Sequence, residues 1–181
     1  SLRFWDPVIK YQVNTLWLVP TIMSMLMEMD RSNQGVKYCK ERIFLFLVGT
    51  DYLREDLKIA FTKKYGIKPY ENYGITETLF IATHSPNENN RIDSVGKIIP
   101  EIQVRIVDKD MNFLPPGEEG EILVKTPYLL KKYTSSKVPM FGEWFVTGDI
   151  GTITRKNFLK ISGRKKDLII RGGFNISPAQ I

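Results

Sequence analysis

The sequence has 181 residues, 43% of them hydrophobic, with 26 basic and 20 acidic residues and a formal charge of +6. That length and apolar content suffice for one or two globular units with buried cores. A single cysteine, Cys39, excludes an internal disulfide and fits a reducing cytoplasm, and one cysteine with one histidine excludes a zinc site built from those ligands.

The lysines and arginines are spread along the chain without a long basic block. A solvated surface with a site for an anionic ligand therefore explains the positive charge as well as nucleic-acid binding does. The longest apolar stretch, residues 16–27, is interrupted by Pro20, Thr21 and Ser24. It falls short of the roughly 20 residues that a membrane span needs.

Phe4, Trp5, Asp6 and Pro7 read as a helix start, and a helix is expected over residues 6–13. Thr15 to Val19 reads as a buried strand, and Ile22, Met23, Leu26 and Met27 recur at helical spacing. Ile43 to Val48 is a continuous apolar run, which predicts a strand covered on both faces. Leu53, Leu57, Ala60 and Phe61 give a further helix. Strands alternating with helices predict a layered α/β unit over residues 1–94. His84, before Ser85 and Pro86, reads as a surface loop residue and not as a catalyst.

After the polar loop 85–90 the helical period disappears. Ile102, Val104 and Ile106 alternate with polar neighbours, Ile122 and Val124 do so in part, and Pro115-Pro-Gly117 marks a turn. Phe145-Val146, residues 150–154 and residues 158–161 read as separate short strands. Residues 95–166 are thus expected to form a β-rich unit, a distorted barrel. Ser177, Pro178 and Gln180 have capping-box spacing and announce another helix. Both ends read as cut from a longer protein.

Three motifs follow one another in fixed order. They are Glu71-Asn-Tyr-Gly-Ile-Thr-Glu-Thr78, Trp144-Phe-Val-Thr-Gly-Asp-Ile-Gly151, and the run from Gly163 through Arg171-Gly-Gly173 to Pro178. Together, at these separations, they resemble the adenylate-forming superfamily, most closely the AMP-forming acyl-CoA synthetases. The resemblance implies that the chain is the central part of such an enzyme. Residues 1–166 would belong to its large N-terminal domain, and residues 167–181 would begin the small C-terminal one. It also implies a two-step reaction: a carboxylate attacks the α-phosphate of ATP to give an acyl-adenylate, and a thiol, usually coenzyme A, then displaces AMP. Both steps handle crowded negative charge and need donors, a hard cation and a nucleotide clamp.

The resemblance assigns roles residue by residue. Tyr73 offers a flat face for adenine, Gly74 a close backbone approach, and the Thr76 hydroxyl a donor to phosphate. Glu77 is a hard carboxylate suited to Mg²⁺. Taken without the other motifs, Thr76-Glu77 after a glycine reads as an ordinary helix cap. Asp149, expected at a strand end, would accept from both ribose hydroxyls, with Arg164 as partner donor. A turn aspartate is the ordinary alternative for Gly-Asp. Gly49, Thr50 and Asn72 complete the nucleotide side. Where the family carries a small residue and a proline after that glycine loop, Asp51 and Tyr52 stand here. These bulkier side chains would either narrow the site or point outward. Lys166 falls at the family's hinge, and Gly172 and Gly173 at its pantetheine tunnel.

The glycine- and threonine-rich phosphate loop and the catalytic lysine of such enzymes have no counterpart among the 181 residues. The chain alone is therefore expected to release no pyrophosphate with any carboxylic acid. Its expected partners are ATP and AMP, Mg²⁺, coenzyme A, an acyl acid such as a fatty acid, and the remaining parts of the same enzyme, with no nucleic acid and no membrane span. Leu79 and Phe80 hint at a restricted acyl pocket. Two other readings stand beside this one. A carrier-protein-loading adenylation domain usually shows an acidic hinge residue, where this chain has Lys166. A basic, non-catalytic nucleic-acid binder would show salt-sensitive binding.

Overall fold

The alternation of helices and strands in the first half of the chain builds a small parallel sheet. A computed structural model of the protein describes residues 3–43, 45–87, 93–167, 169–171 and 174–176. Gly172, Gly173 and the expected helix start at Ser177–Gln180 lie outside the described residues. The chain divides into two units, Ser1–Asn72 and Tyr73–Ile181.

The first unit runs α1 (Trp5–Lys10), β1 (Thr15–Leu18), α2 (Pro20–Met29), α3 (Gln34–Arg42), β2 (Leu45–Val48), α4 (Glu55–Tyr65) and the start of β3 (Tyr70–Ile75). β1 pairs parallel with β2, from Thr15↔Leu45 to Leu18↔Val48, and β2 pairs parallel with β3 at Leu47↔Tyr70 and Val48↔Glu71. The core is one cluster in which Trp5, Met23, Leu26, Phe46, Phe61 and Tyr65 are buried. The β2 strand departs from expectation, because Phe46 and Val48 are buried while Leu45 and Leu47 are only half-buried. Trp17, the register partner of Leu47, is exposed as well. One face of this sheet is covered by the helices and the other only in part.

The C-terminus of α2 is held by polar groups from distant elements. Lys64 donates to the carbonyls of Leu26 at 3.0 Å and Asp30 at 2.9 Å, adding to the bond that the Leu26 carbonyl already accepts from the Asp30 amide at 3.2 Å. The buried Asp30 carboxylate accepts from Trp5 Nε1 at 2.8 Å, Tyr65 Oη at 2.9 Å and the Ser32 amide at 3.0 Å. Burial acts to raise this carboxyl, but the bonds from Ser32, Tyr65 and Trp5 outweigh it and hold it below its ordinary value. Asp30→Ala leaves the buried Trp5 donor without its acceptor and the Tyr65 hydroxyl with the Leu26 carbonyl in place of a carboxylate. A loss of about 1–3 kcal/mol is expected, read as a lower urea midpoint at neutral pH. A carboxyl depressed on folding stabilises above its unfolded pKa and loses that contribution as pH falls through the folded value. The gap between wild type and variant is therefore expected to narrow in acid.

In the second unit β3 ends at Ile75 and a turn leads into β4 (Leu79–Thr83), which pairs antiparallel with β5 (Lys97–Ile98). The strands β6 (Gln103–Val107), β7 (Gly120–Lys125), β8 (Met140–Phe141), β9 (Trp144–Ile153) and β10 (Leu159–Arg164) follow. They form an antiparallel sheet in the order β10-β9-β7-β6, with β8 beside β9. A bridge between Lys97 and Phe158 and the bond from Leu159 N to Gly96 O at 3.0 Å join the two sheets. The unit thereby curls into a half-barrel around Ile81, Ile106, Ile122, Val124 and Leu159. Residues 165–167 make a 3₁₀ turn, and β11 (Ile169–Arg171) pairs with β12 (Phe174–Ile176).

The fold is α/β, with a layered α/β part and a β-rich part, as the periodicity predicts. The two short strands expected at Phe145-Val146 and residues 150–154 are one ten-residue strand, β9. His84 is 3% exposed, with its Nε2 at 3.4 Å from Ser94 Oγ, so it is a core residue and not a surface one. No helix among the described residues is long and apolar enough to cross a membrane.

Candidate functional site

Asp149 owes its position to a bulge. The ladder between β7 and β9 pairs Leu123 with Val146 and Glu121 with Ile150. Between those pairs β7 has only Ile122, whereas β9 has Thr147, Gly148 and Asp149. The surplus is accommodated by Gly148 at φ 75°, in the left-handed region that favours glycine. The Thr147 hydroxyl donates to the Ile122 carbonyl at 2.8 Å and accepts from the Asp149 amide at 3.0 Å, stitching the bulge shut. Asp149 thus lies in mid-strand and neither at a strand end nor in a free turn. The bulge re-aims its carboxylate without ending the sheet.

That carboxylate is 3% exposed and doubly held. Tyr73 Oη donates to Oδ2 at 2.6 Å, and Arg164 Nε donates to Oδ1 at 3.0 Å from the register-paired position on β10. The two ends of the motif series, at residues 73 and 164, therefore meet on one buried carboxylate. Burial pushes the Asp149 carboxyl above its ordinary value, against the lowering pull of Tyr73 and Arg164. Burial and then the Asp149 charge push the Tyr73 phenol far up, so it stays a donor. Arg164 is about half exposed, leaving much of its fork open to solvent or ligand.

Thr76 and Glu77 form the tip of the turn between β3 and β4 and do not start a helix. Gly74 is required by the close return of the chain: a Cβ there would lie 2.3 Å from the Leu79 carbonyl oxygen. Its proximity need is met within the protein itself. Leu79, at φ 59°, and Phe80 are both exposed. Glu77 is half-buried, and its Oε1 accepts from Tyr133 Oη at 2.5 Å. Its charge also contributes to raising Asp149.

Thr147, Gly148, Arg164, Lys165 and Lys166 line an open groove of about 380 Å³. Lys165 is exposed, yet its Nζ pairs at 2.7 Å with Glu121 Oε2, whose side chain is 6% exposed. Lys166, next along the 3₁₀ turn, is exposed. In the first unit, Gly49 follows β2, and a Cβ on it would meet Asn72 Oδ1 at 2.2 Å. Thr50 takes φ 75° and is exposed. Asp51 and Tyr52 point outward, with Asp51 Oδ1 accepting from the Tyr52 amide at 2.7 Å.

Sequence reasoning did not find Tyr133 or the Lys165–Glu121 pair. Tyr133 has no signal beyond being an aromatic in a lysine-rich loop. Glu121 does carry one, as a charged residue opening a run of four buried strand positions.

One carboxylate at a turn tip matches how Mg²⁺ is held beside phosphates, through one or two acidic groups and substrate oxygens. No group of three or more His, Cys, Asp or Glu suited to a metal occurs among the described residues. Glu77 therefore fits a nucleotide-bound cation and not an all-protein cage.

Comparison with known proteins bears on the family and the fold. The human mitochondrial acyl-coenzyme A synthetase ACSM5 is 28% identical over 95% of this chain and 31% of its own length. The 2-succinylbenzoate–CoA ligase of Geobacillus sp. (strain WCH70) is 35% identical over 90% of this chain and 34% of its own. The structure of O-succinylbenzoate coenzyme A synthetase (MenE) from Bacillus subtilis, in complex with ATP and magnesium ion, superposes with a TM-score of 0.79 at 30% identity. It covers 97% of this chain and 37% of that one. The chain thus spans about a third of the length of the relatives it matches. The family described as AMP-binding enzyme matches residues 1–134, most of the sequence, and this chain belongs to it.

Proposed function

We propose that the protein is an AMP-forming acid–thiol ligase, which joins a carboxylic acid to ATP as an acyl-adenylate and passes the acyl group to coenzyme A. The observation that carries this reading is the buried Asp149 carboxylate, presented by a bulge and held by Tyr73 and Arg164. A carboxylate fixed this way can exchange its protein donors for the two hydroxyls of a ribose. Tyr73 and Gly74 would border the base, with Gly49, Thr50 and Asn72 supplying the rest of the nucleoside side. The Thr76 hydroxyl would donate to a phosphate oxygen, and Glu77 would hold Mg²⁺. The cation, when bound, offsets phosphate charge as pyrophosphate leaves. Gly172 and Gly173 would line the thiol's path, and Lys166 would be the hinge before a domain starting at residue 167. Names of the two CoA-ligase relatives support coenzyme A over a carrier protein, as does a basic residue at the hinge. The acid is a carboxylic acid of the fatty or other acyl class.

The test is isothermal titration of the full-length protein with ATP, followed by acid-dependent exchange of pyrophosphate into ATP across a panel of carboxylic acids. Saturable binding that strengthens with Mg²⁺, and exchange with at least one acid, are expected. Salt-sensitive DNA binding with no ATP binding would transfer the protein to the nucleic-acid class.

A further inference from the structure

The loop between β7 and β8, residues 126–139, is largely exposed, yet it reaches back to the β3–β4 turn at two points. Leu130 N donates to the Glu77 carbonyl at 2.7 Å, and Tyr133 Oη donates to the Glu77 carboxylate at 2.5 Å. Backbone and side chain of one glutamate are thus held by a segment more than fifty residues away. Tyr133 is half-buried among exposed neighbours, so its ring is turned toward this contact.

We propose that Tyr133 is a positioning residue for metal binding: its hydroxyl occupies Glu77 Oε1 and leaves Oε2 as the oxygen offered to a divalent cation. The inference rests on the reading of Glu77 as the Mg²⁺ carboxylate. A free glutamate can rotate and can offer both oxygens to one cation. A glutamate tied at Oε1 cannot rotate freely and presents Oε2, the oxygen without a phenol donor, with Oε1 the weaker ligand because one of its lone pairs is engaged. Single-oxygen binding suits Mg²⁺, which demands near-octahedral geometry at short distance, whereas Ca²⁺ accepts bidentate carboxylates in looser shells. The tether therefore sets both the affinity of the site for Mg²⁺ and its preference over Ca²⁺. Partners that orient a metal ligand commonly matter by about 10–100-fold in metal affinity.

The experiment compares wild type, Tyr133→Phe and Glu77→Gln in the full-length protein by calorimetric titration with ATP. Each is measured in EDTA, in MgCl₂ and in CaCl₂. Phenylalanine keeps the ring and removes only the hydroxyl, and an unchanged thermal midpoint checks the fold. Tyr133→Phe is expected to keep the affinity for metal-free ATP and to lose about tenfold of the gain that Mg²⁺ brings. Its Ca²⁺ gain should be kept or increased. Glu77→Gln should lose the metal gain for both cations. If Glu77→Gln keeps the Mg²⁺ gain, the metal reading itself fails and this inference with it. If Glu77→Gln loses the gain but Tyr133→Phe behaves as wild type, Glu77 remains the metal ligand and the role of Tyr133 is refuted. Equal weakening of Tyr133→Phe in EDTA and in MgCl₂ also refutes it, since a loop that only shapes the site would act that way.

Discussion

Asp149→Ala is expected to weaken ATP binding to the full-length protein by roughly 2–4 kcal/mol, the worth of two hydrogen bonds to a charged acceptor. The structure adds a second consequence. Asp149 is the acceptor for Tyr73 and the ion-pair partner of Arg164, so alanine also strips the phenol of its bond and frees the guanidinium. Some loss of stability therefore accompanies the loss of affinity. Asp149→Asn separates the two effects, because the amide oxygen still accepts from Tyr73 while the charge is gone. Titration calorimetry on folded Asp149→Asn decides the matter. Wild-type affinity in that variant would reduce Asp149 to a structural residue of the bulge.

The same carboxylate predicts a pH dependence. Burial raises the Asp149 carboxyl above its ordinary value. An acid whose pKa rises on folding contributes most to stability below its unfolded pKa and loses that contribution as pH climbs through the folded value. For ligand binding the sense is opposite, since the ionised form is the better ribose acceptor. ATP affinity should therefore fall with acidification, beginning at higher pH than an exposed aspartate would give. The Asp149→Asn variant should lack that portion of the pH profile.

The legible parts of this protein are those whose signal is local. The helices α2 and α4 carry their apolar residues at helical spacing, and β6 alternates along one face. The motif residues Tyr73, Asp149 and Arg164 stand out because three patterns keep one order. What escaped depends on contacts far apart in sequence. Gly148-Asp149 reads as a break between two strands. The chain continues through it only because Thr147 bonds to the Ile122 carbonyl, 25 residues earlier. The helix α3, Gln34–Arg42, offers few apolar residues, and Gly35 and Cys39 are its buried positions. The buried state of His84 depends on Ser94 beyond a polar loop, and Tyr133 gains meaning only from Glu77, 56 residues before it.

Lys166→Pro is expected to separate the two half-reactions in the full-length protein. The proposal that Lys166 is a hinge requires its backbone to take two states, one for adenylate formation and one for transfer to the thiol. Lys166 is well placed for that. The two residues before it are tied to buried carboxylates, Arg164 to Asp149 and Lys165 to Glu121, while its own side chain is exposed. Torsional change C-terminal to those ties would leave the nucleotide groups undisturbed. Proline fixes φ near −65° and removes an amide donor. A 3₁₀ turn such as residues 165–167 uses φ of about −50 to −70°, so proline holds residue 166 at its observed φ, while it also restricts Lys165 before it. We expect adenylate formation to survive, measured as acid-dependent exchange of pyrophosphate into ATP. Thioester formation should fall by at least about a hundredfold, roughly 2.7 kcal/mol of barrier. Lys165→Ala is the control: it breaks the ion pair to Glu121 in the same turn without fixing a torsion, and should affect both steps alike. Equal losses in both half-reactions for Lys166→Pro, or no loss in either, would make Lys166 an exposed turn residue and remove the hinge from this position.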